Sequence, residues 1–388
     1  MRKIGIALTT LSVCIILAVG AYLALDCFFE WTPPESEVYI AAFAPQEPQV
    51  EPEPIYEPEE IVYEEPEPEP EYIPSPEPEA PQIISLTITA VGDMTLGGDR
   101  RWAGYHAFMR EFENSGQDHS HFLRNVAHIF YESDLTIANL EGTLTYATEH
   151  MDKTFVFRGP PHFAQILSTS YIDVVSLANN HTIDFFDRGF NDTREALTAV
   201  GVEYFGNEFV LVREVEGIRI GMFGFRIWHD SAENRNRITN AIAELEEQGV
   251  DLIIAYYHWG VERSNRPEQY QINIGRFSIR NGVDLVLGSH PHVVQGIEEY
   301  NGAFIVYSLA DFCFGGNANP PDHDSMIFQQ TFNFFEGERL PMEEGDKNII
   351  PAFMSSVRTH NDFVPTVAEG ADAERILARI ERYSEWLR

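Results

Sequence analysis

The rhythm of hydrophobic and polar positions changes twice along this 388-residue chain. From Ile4 to Leu25 no charged residue occurs, and from 31 to 82 Glu and Pro dominate. From residue 83 onward short apolar runs recur, each closed by polar residues, with stretches of helical period between them. Ile83–Val91 alternates and is rich in β-branched residues, which predicts a strand. The runs Asp134–Leu140, Ile172–Ala178, Ile218–Phe225, Asp251–Tyr257 and Asp284–Leu287 predict further short strands. Helical stretches are expected around 119–132, 162–169, 188–200, 237–248 and 267–281. Phe304–Phe312 and Met326–Phe335 read as a late hairpin or strand pair. Ile376, Ile380, Tyr383 and Leu387 at helical spacing predict that Asp372–Leu387 closes the domain as a surface helix. Strands and helices in this order, with extra strands late, indicate an α/β architecture. Functional residues in such sheets gather at the carboxyl ends of strands.

The first apolar run has its own meaning. Its 22 residues, Ile4 to Leu25, rise about 1.5 Å each and match the ~30 Å hydrocarbon core of a bilayer. A cleaved signal peptide has a shorter apolar region of roughly 7–15 residues. Arg2 and Lys3 precede the run, and Asp26 and Glu30 follow it, which puts the N-terminus inside. Residues 1–30 are therefore expected to be a signal anchor with a transmembrane segment at about 4–25. Cleavage after Ala18-Val19-Gly20 is the alternative. A lipid anchor on Cys27 is disfavoured by Asp26, which stands where a small residue is wanted.

Residues 31–82 hold 15 Glu and no Lys, Arg or Asp. A Pro-rich segment of like charge cannot bury enough apolar surface to offset its ordering entropy, and it favours extended polyproline II at about 3.1 Å per residue. A disordered linker of some fifty residues then reaches up to roughly 150 Å from the membrane. Of the net charge of −35, this segment accounts for −15 and residues 83–388 for the remaining −20. An acidic domain on an acidic stalk, with no basic stripe, excludes nucleic acid as a partner. Three cysteines, Cys14, Cys27 and Cys313, cannot build a disulfide framework.

Five polar clusters at predicted strand ends carry the candidate chemistry: Gly92-Asp93, Asn139-Leu140-Glu141, Asn179-Asn180-His181, His258-Trp259-Gly260 and Gly288-Ser289-His290-Pro291-His292. Each has a plainer reading alone. Asp93 suits a turn, Glu141 an Arg partner, Asn179-Asn180 a capped turn, His258 a packed core and the His-Pro-His run a surface loop. In series they supply the Asp, Glu, Asn and His donors that a hard-to-borderline metal site takes, with His181 left over as a proton donor. If Pro291 keeps the backbone extended, His290 and His292 point the same way and converge.

These stretches resemble the CapA family, the poly-γ-glutamate capsule synthesis proteins of the calcineurin-like metallophosphoesterase superfamily. The matching segments run in order: Val91–Gly97, Asn139–Thr143, Phe157–Pro161, Ser176–Asp184, Tyr257–Glu262, Gly288–Gln295 and Tyr307–Asp311. The resemblance implies a four-layer αββα sandwich over 83–388. Asp93, Glu141, Asn180, His258, His290 and His292 would be its metal ligands, and His181 would protonate a leaving group. One or two divalent ions, Mn, Fe or Zn, would lower the pKa of water at the site.

Two positions depart from the pattern. Thr95 stands where the superfamily's first motif has His, and Asp311 stands where the last motif carries Asn. The resemblance also implies a bacterial cell-membrane protein, single-pass, with its C-terminal domain extracellular. Its partners would be an anionic polymer, poly-γ-glutamate, or the synthase complex that makes it. The bond cut would be a phosphoester or a γ-glutamyl amide. Arg158 is the candidate substrate-anion contact, within an Arg patch of Arg100, Arg101 and Arg110. A non-catalytic polymer-binding or scaffold subunit is the other reading.

Overall fold

The computed structural model describes residues 82–388. The signal anchor expected at 1–30 and the linker expected up to residue 82 lie, except for residue 82, outside the described residues. Among the described residues no helix is long and apolar enough to cross a membrane.

In chain order the strands are β1 (Ile83–Thr95), β2 (Leu135–Leu140), β3 (Thr143–Leu144), β4 (Arg158–Gly159), β5 (Val174–Ser176), β6 (Glu203–Phe205), β7 (Leu211–Val215), β8 (Ile218–Ile227), β9 (Leu252–Trp259), β10 (Leu285–Ser289), β11 (Ile297–Tyr300), β12 (Ala303–Val306), β13 (Asp311–Phe314), β14 (Asp324–Phe335), β15 (Glu338–Arg339), β16 (Lys347–Phe353) and β17 (Thr366–Val367). The helices are α1 (Ala103–Asn114), α2 (Ala127–Tyr131), α3 (Ala164–Ser168), α4 (Phe186–Ala199), α5 (Ala232–Glu247), α6 (Gln269–Arg280) and α7 (Gly370–Ser384).

Two large sheets result. One has nine strands in the order β17-β16-β14-β1-β2-β5-β6, with β13 also on β1 and β15 on β14; the other has six, in the order β11-β12-β10-β9-β8-β7. An apolar cluster joins them. Leu86, Ile88 and Ala90 of β1 share it with Ile220, Met222, Ile254 and Leu287 of the other sheet. A second cluster packs the opposite face of the larger sheet, through Val91 and Ala138, against Phe108, Ile166 and Leu197 of α1, α3 and α4. A third packs the far face of the smaller sheet, through Phe223 and Ala255, against Ile238 of α5 and Ile274 of α6. Period-2 burial on both faces is what makes these strands continuously apolar.

Local signals set most boundaries. Ser231 caps α5, its hydroxyl accepting the Asn234 N–H at 3.1 Å, so the helix starts before the apolar stretch at 237 suggests. Glu268 and Gln271 form a capping box on α6. Ile376, Ile380 and Tyr383 of α7 are buried in the inter-sheet cluster, and Arg375 and Arg379 tie the helix to Asp324 and Asp322.

Three expectations need correction. The stretch 119–132 is not one helix. It breaks into a 3-10 turn, His119–His121, and the short α2. Helix α1 went unpredicted, although its buried Gly104, Phe108 and Phe112 recur every four residues. Phe304–Phe312 and Met326–Phe335 do not pair with each other. β12 lies parallel to β10 in the smaller sheet, while β13 and β14 both lie against β1 in the larger one. A run of β-branched and aromatic residues specifies a strand, but its partner is chosen by which apolar face finds a complement elsewhere.

The carboxyl end of β1 organises the polar residues around it. Its pairing with β2 shifts register between Ala90 and Asp93, an irregularity of the kind that re-aims a side chain. Gly92 is required there: a Cβ would lie 1.8 Å from the Ala310 carbonyl oxygen. Asp93 then has register partners on both sides, Asn139 of β2 and Asp311 of β13.

Candidate metal centre

The carboxyl ends of β1, β2, β5, β9 and β10 converge. Asp93 is fully buried. Its Oδ1 accepts from Asn139 Nδ2 at 2.7 Å, and its Oδ2 accepts the His290 backbone N–H at 2.9 Å. Glu141 is the residue after β2. Its N–H donates to the Met94 carbonyl at 2.8 Å, and its own carbonyl accepts the Thr95 hydroxyl at 2.8 Å. Thr95 therefore holds the Glu141 backbone in place. The Glu141 side chain is also fully buried, yet neither carboxylate oxygen has a hydrogen-bond partner among the described residues.

His258 Nε2 is the centre of a donor shell. Asn180 Oδ1 lies 2.5 Å from it, His290 Nδ1 3.1 Å and Glu141 Oε1 3.6 Å. The other ring nitrogen, Nδ1, lies 3.0 Å from Ser289 Oγ, which fixes the ring's orientation. Parallel pairing of β9 with β10 sets Ser289 opposite His258 and places His290 one residue beyond.

His290 and His292 do converge, but not by extended alternation. Both have left-handed backbones, φ 95 and 56. The loop folds back on itself, and the ring centroids end 5.8 Å apart. His292 Nδ1 lies 2.7 Å from Asp311 Oδ1 and 3.5 Å from Asp93 Oδ2.

His181 stands beside this group. Its Nε2 is 3.7 Å from Glu141 Oε1, and its Nδ1 is 2.6 Å from Asp184 Oδ2. Asp184 is buried and is held by Lys153 Nζ at 2.6 Å and by the Phe157 N–H at 2.6 Å. Phe157 stacks on the imidazole, with ring centroids 4.0 Å apart. A ring pinned on one nitrogen by a carboxylate presents the other for proton exchange.

The electrostatics are those of a cation site. Burial raises the Asp93 carboxyl to about 6, against the lowering effect of His292. Burial, then the Asp93 charge, pushes Glu141 well above the carboxylate range. Asp311 is also raised by burial. Burial alone would lower His292, but Asp311 and Glu141 hold it well above an ordinary imidazole. Burial depresses His258 far below its ordinary value and His290 to about 3, so both rings stay neutral, the form that ligates metal. Burial also lowers His181, opposed by Asp184. The donor types and the orphaned Glu141 carboxylate fit a divalent cation. Two overlapping groups of donors each lie within 4.8 Å of one another: Glu141, His290 and His292, and Asp93, His292 and Asp311.

Six residues singled out in sequence as ligands thus come together, with His181 adjacent. Arg158 does not join them. Its guanidinium donates to the Ala147 carbonyl and lies over the Phe185 ring, 5.2 Å from the centroid. With Arg100 and Arg101 it lines a separate hollow that contains none of the clustered residues, and Arg101 is paired to Asp99. Arg110 does not line that hollow. The cleft that opens beside the cluster is lined instead by Phe157, His181, Glu262, Arg263, His292 and Asp311. Neither Glu262 nor Arg263 forms an ion pair among the described residues. Sequence reasoning placed Asn139 in a polar cluster without giving it a role, and passed over Lys153, Asp184 and Arg263. Asp184 lies inside a quoted motif three residues after His181, but only the turn there shows that the two side chains meet.

Two α/β sheets face to face, helices outside, and a polar cluster at strand carboxyl ends are consistent with a metallophosphoesterase-like domain. More narrowly, the chain belongs to the bacterial capsule synthesis protein family PGA_cap, whose model matches residues 87–316. It is similar to the PGA biosynthesis protein CapA of Bacillus subtilis, 26% identical over 250 residues, 59% of this chain and 63% of that protein. The chain therefore spans less than two thirds of that relative's length. It is also 25% identical to the capsule biosynthesis protein CapA of Bacillus anthracis over 325 residues, 74% of each chain. Among solved structures, a hypothetical protein from Thermus thermophilus covers 69% of this chain and 99% of its own at 13% identity, with a TM-score of 0.40 that carries no weight.

Proposed function

We propose that this chain is a membrane-anchored, outward-facing protein of capsule or poly-γ-glutamate synthesis whose αββα domain carries a metal-dependent hydrolase-type site. The observation that carries the reading is the buried, unpartnered Glu141 carboxylate beside the His258, His290 and Asn180 donors. Capsule synthesis comes from the family and from the names of the Bacillus relatives. The anchor at 4–25, the linker to 82 and the extracellular placement of 83–388 rest on hydropathy and charge.

In this reading Asn180, Glu141, His258 and His290 hold a divalent ion, with Asp93 and His292 beside them. When bound there, a divalent ion would supply Lewis-acid polarisation of a phosphoester or amide oxygen and would lower the pKa of water. The chain's own residues do the rest. Asp184 keeps His181 in the tautomer whose Nε2 faces the site, and His181 moves the proton to the departing group. Phe157 shields that ring from water, and Arg263 at the cleft mouth meets the anionic part of the substrate.

The test is His181→Asn in the full chain, assayed for release of phosphate from aryl phosphoesters and of glutamate from γ-glutamyl oligomers with Mn²⁺ present. A fall of about 10²–10⁴-fold in kcat with metal content unchanged supports the hydrolase. Polymer production that is indifferent to His181→Asn, with no hydrolysis by the native chain, would instead support a binding or scaffold subunit.

A further inference from the structure

Arg158, turned away from the metal-centred cleft, is a buried cation without an acidic partner. Its residue is only 9% exposed, and its guanidinium donates to the Ala147 carbonyl and lies over the Phe185 ring. One carbonyl leaves most of a guanidinium's N–H donors unused. Burial and the Arg100 charge both press its pKa down, and no carboxylate opposes them. A buried charge without a counter-charge is costly to keep. The domain has a large acidic excess, yet none of it comes to Arg158.

Arg158 lines a hollow of about 200 Å³ together with Asp99, Arg100, Arg101, Thr148 and Phe185. The one carboxylate there is fully engaged. Asp99 Oδ1 accepts the Arg101 N–H at 2.9 Å and Arg101 Nε at 3.0 Å, and its Oδ2 accepts Arg101 Nη2 at 2.6 Å and the Val156 N–H at 3.0 Å. Asp99 thus neutralises Arg101 and leaves Arg100 and Arg158 as two uncompensated cations at one opening. Among the described residues neither of them forms an ion pair, whereas Arg101 does. The hollow is walled off from the cleft by strand alternation, which sends successive side chains to opposite sides. Phe157 lines the cleft and stacks on His181, while Arg158, the next residue, lines the hollow.

We propose that this hollow is a separate oxyanion site, in which Arg158 and Arg100 clamp one carboxylate or phosphate group beside the Phe185 ring. A guanidinium fork matches either group, and the Thr148 hydroxyl at the wall is a further donor. The site does not depend on the metal-centred reading. The competing role for Arg158 is to fasten the segment 145–157 through Ala147 and Phe185, and a fastener needs no anion.

The two roles separate by binding. The full chain is held in chelator, which keeps divalent ions out of the cleft, and is titrated with inorganic phosphate and with glutarate by calorimetry and thermal unfolding. The native chain is expected to take one equivalent of at least one of them with a Kd of about 1 mM or below, and to melt higher in its presence. The tighter binder identifies the group. Arg158→Ala is expected to bind about 10–100-fold more weakly and to lose the rise in Tm. Arg158→Lys keeps the charge without the fork, guards against a folding artefact, and should fall between the two. Arg100→Ala removes an exposed side chain that has no ion pair, and should weaken binding without changing the Tm of the anion-free chain.

A native chain that binds neither anion would overturn the proposal. So would an Arg158→Ala chain that melts lower yet binds the anion as the native does, which would leave Arg158 a fastener. Binding lost in Arg263→Ala but kept in Arg158→Ala would put the anion in the cleft and overturn it too. None of these outcomes touches the hydrolase reading.

Discussion

Glu141→Gln is expected to stabilise the metal-free protein and to abolish its protection by metal. Glu141 is fully buried with both oxygens unpartnered, and burial and the Asp93 charge act against its ionised form. An unmet buried polar group costs about 1–3 kcal/mol. The Gln amide has the same shape, carries no charge and can donate to His181 Nε2, the imidazole nitrogen 3.7 Å from Oε1. The metal-free gain is then about 1–2 kcal/mol, or about 2–3 °C in Tm for a domain of this size. With Mn²⁺ at about 100 times its Kd, the native chain gains about 2.7 kcal/mol. The variant, lacking the anionic donor, gains less than about 1 kcal/mol, so its advantage in chelator is cancelled or reversed. The assay is thermal unfolding of the full chain in chelator and in Mn²⁺. A variant less stable than native in chelator, or one protected by Mn²⁺ as strongly as native, would refute the account of Glu141 as a carboxylate kept unpaired for a cation.

Two further predictions use other parts of the molecule. Arg375 and Arg379 hold the nearly buried Asp324 carboxyl below its ordinary range, against the opposing effect of burial, so the pairing stabilises the fold above about pH 4 and is lost as pH falls through the lowered pKa. Asp324→Asn should cost about 2 kcal/mol at pH 7 by urea denaturation, and that gap should close towards pH 3; a gap that does not change with pH would count against it. Arg263→Ala should raise KM about 10-fold or more with kcat little changed, whereas Arg158→Ala should leave KM alone, because only Arg263 lines the cleft beside His181; equal KM effects would contradict that assignment.

The strand-end clusters were legible because each carries its signal locally. An apolar, β-branched run ending in Asp, Glu, Asn or His reads as a strand delivering a side chain to a sheet edge, and Asp93, Glu141, Asn180, His258 and His290 all obey that rule. Helix α7 was legible for the same kind of reason, from period alone. The His-Pro-His run was located correctly but explained wrongly, since the positive φ values at His290 and His292 depend on a loop closing against β1 rather than on Pro291. Arg158 suited an anion site by residue type, and its neighbours turned it towards Ala147 and Phe185.

Residue type and period, then, determined which segments are strands, where they end and which donors they offer. Tertiary structure decided which ends meet. The shift in register after Ala90, the close approach of Ala310 to Gly92, and the choice of β1 rather than β12 as the partner of β14 follow from long-range packing of apolar faces. That packing sets Asp311 beside Asp93 although 218 positions separate them, and no local pattern in a chain encodes a distance between segments that only a shared core brings together.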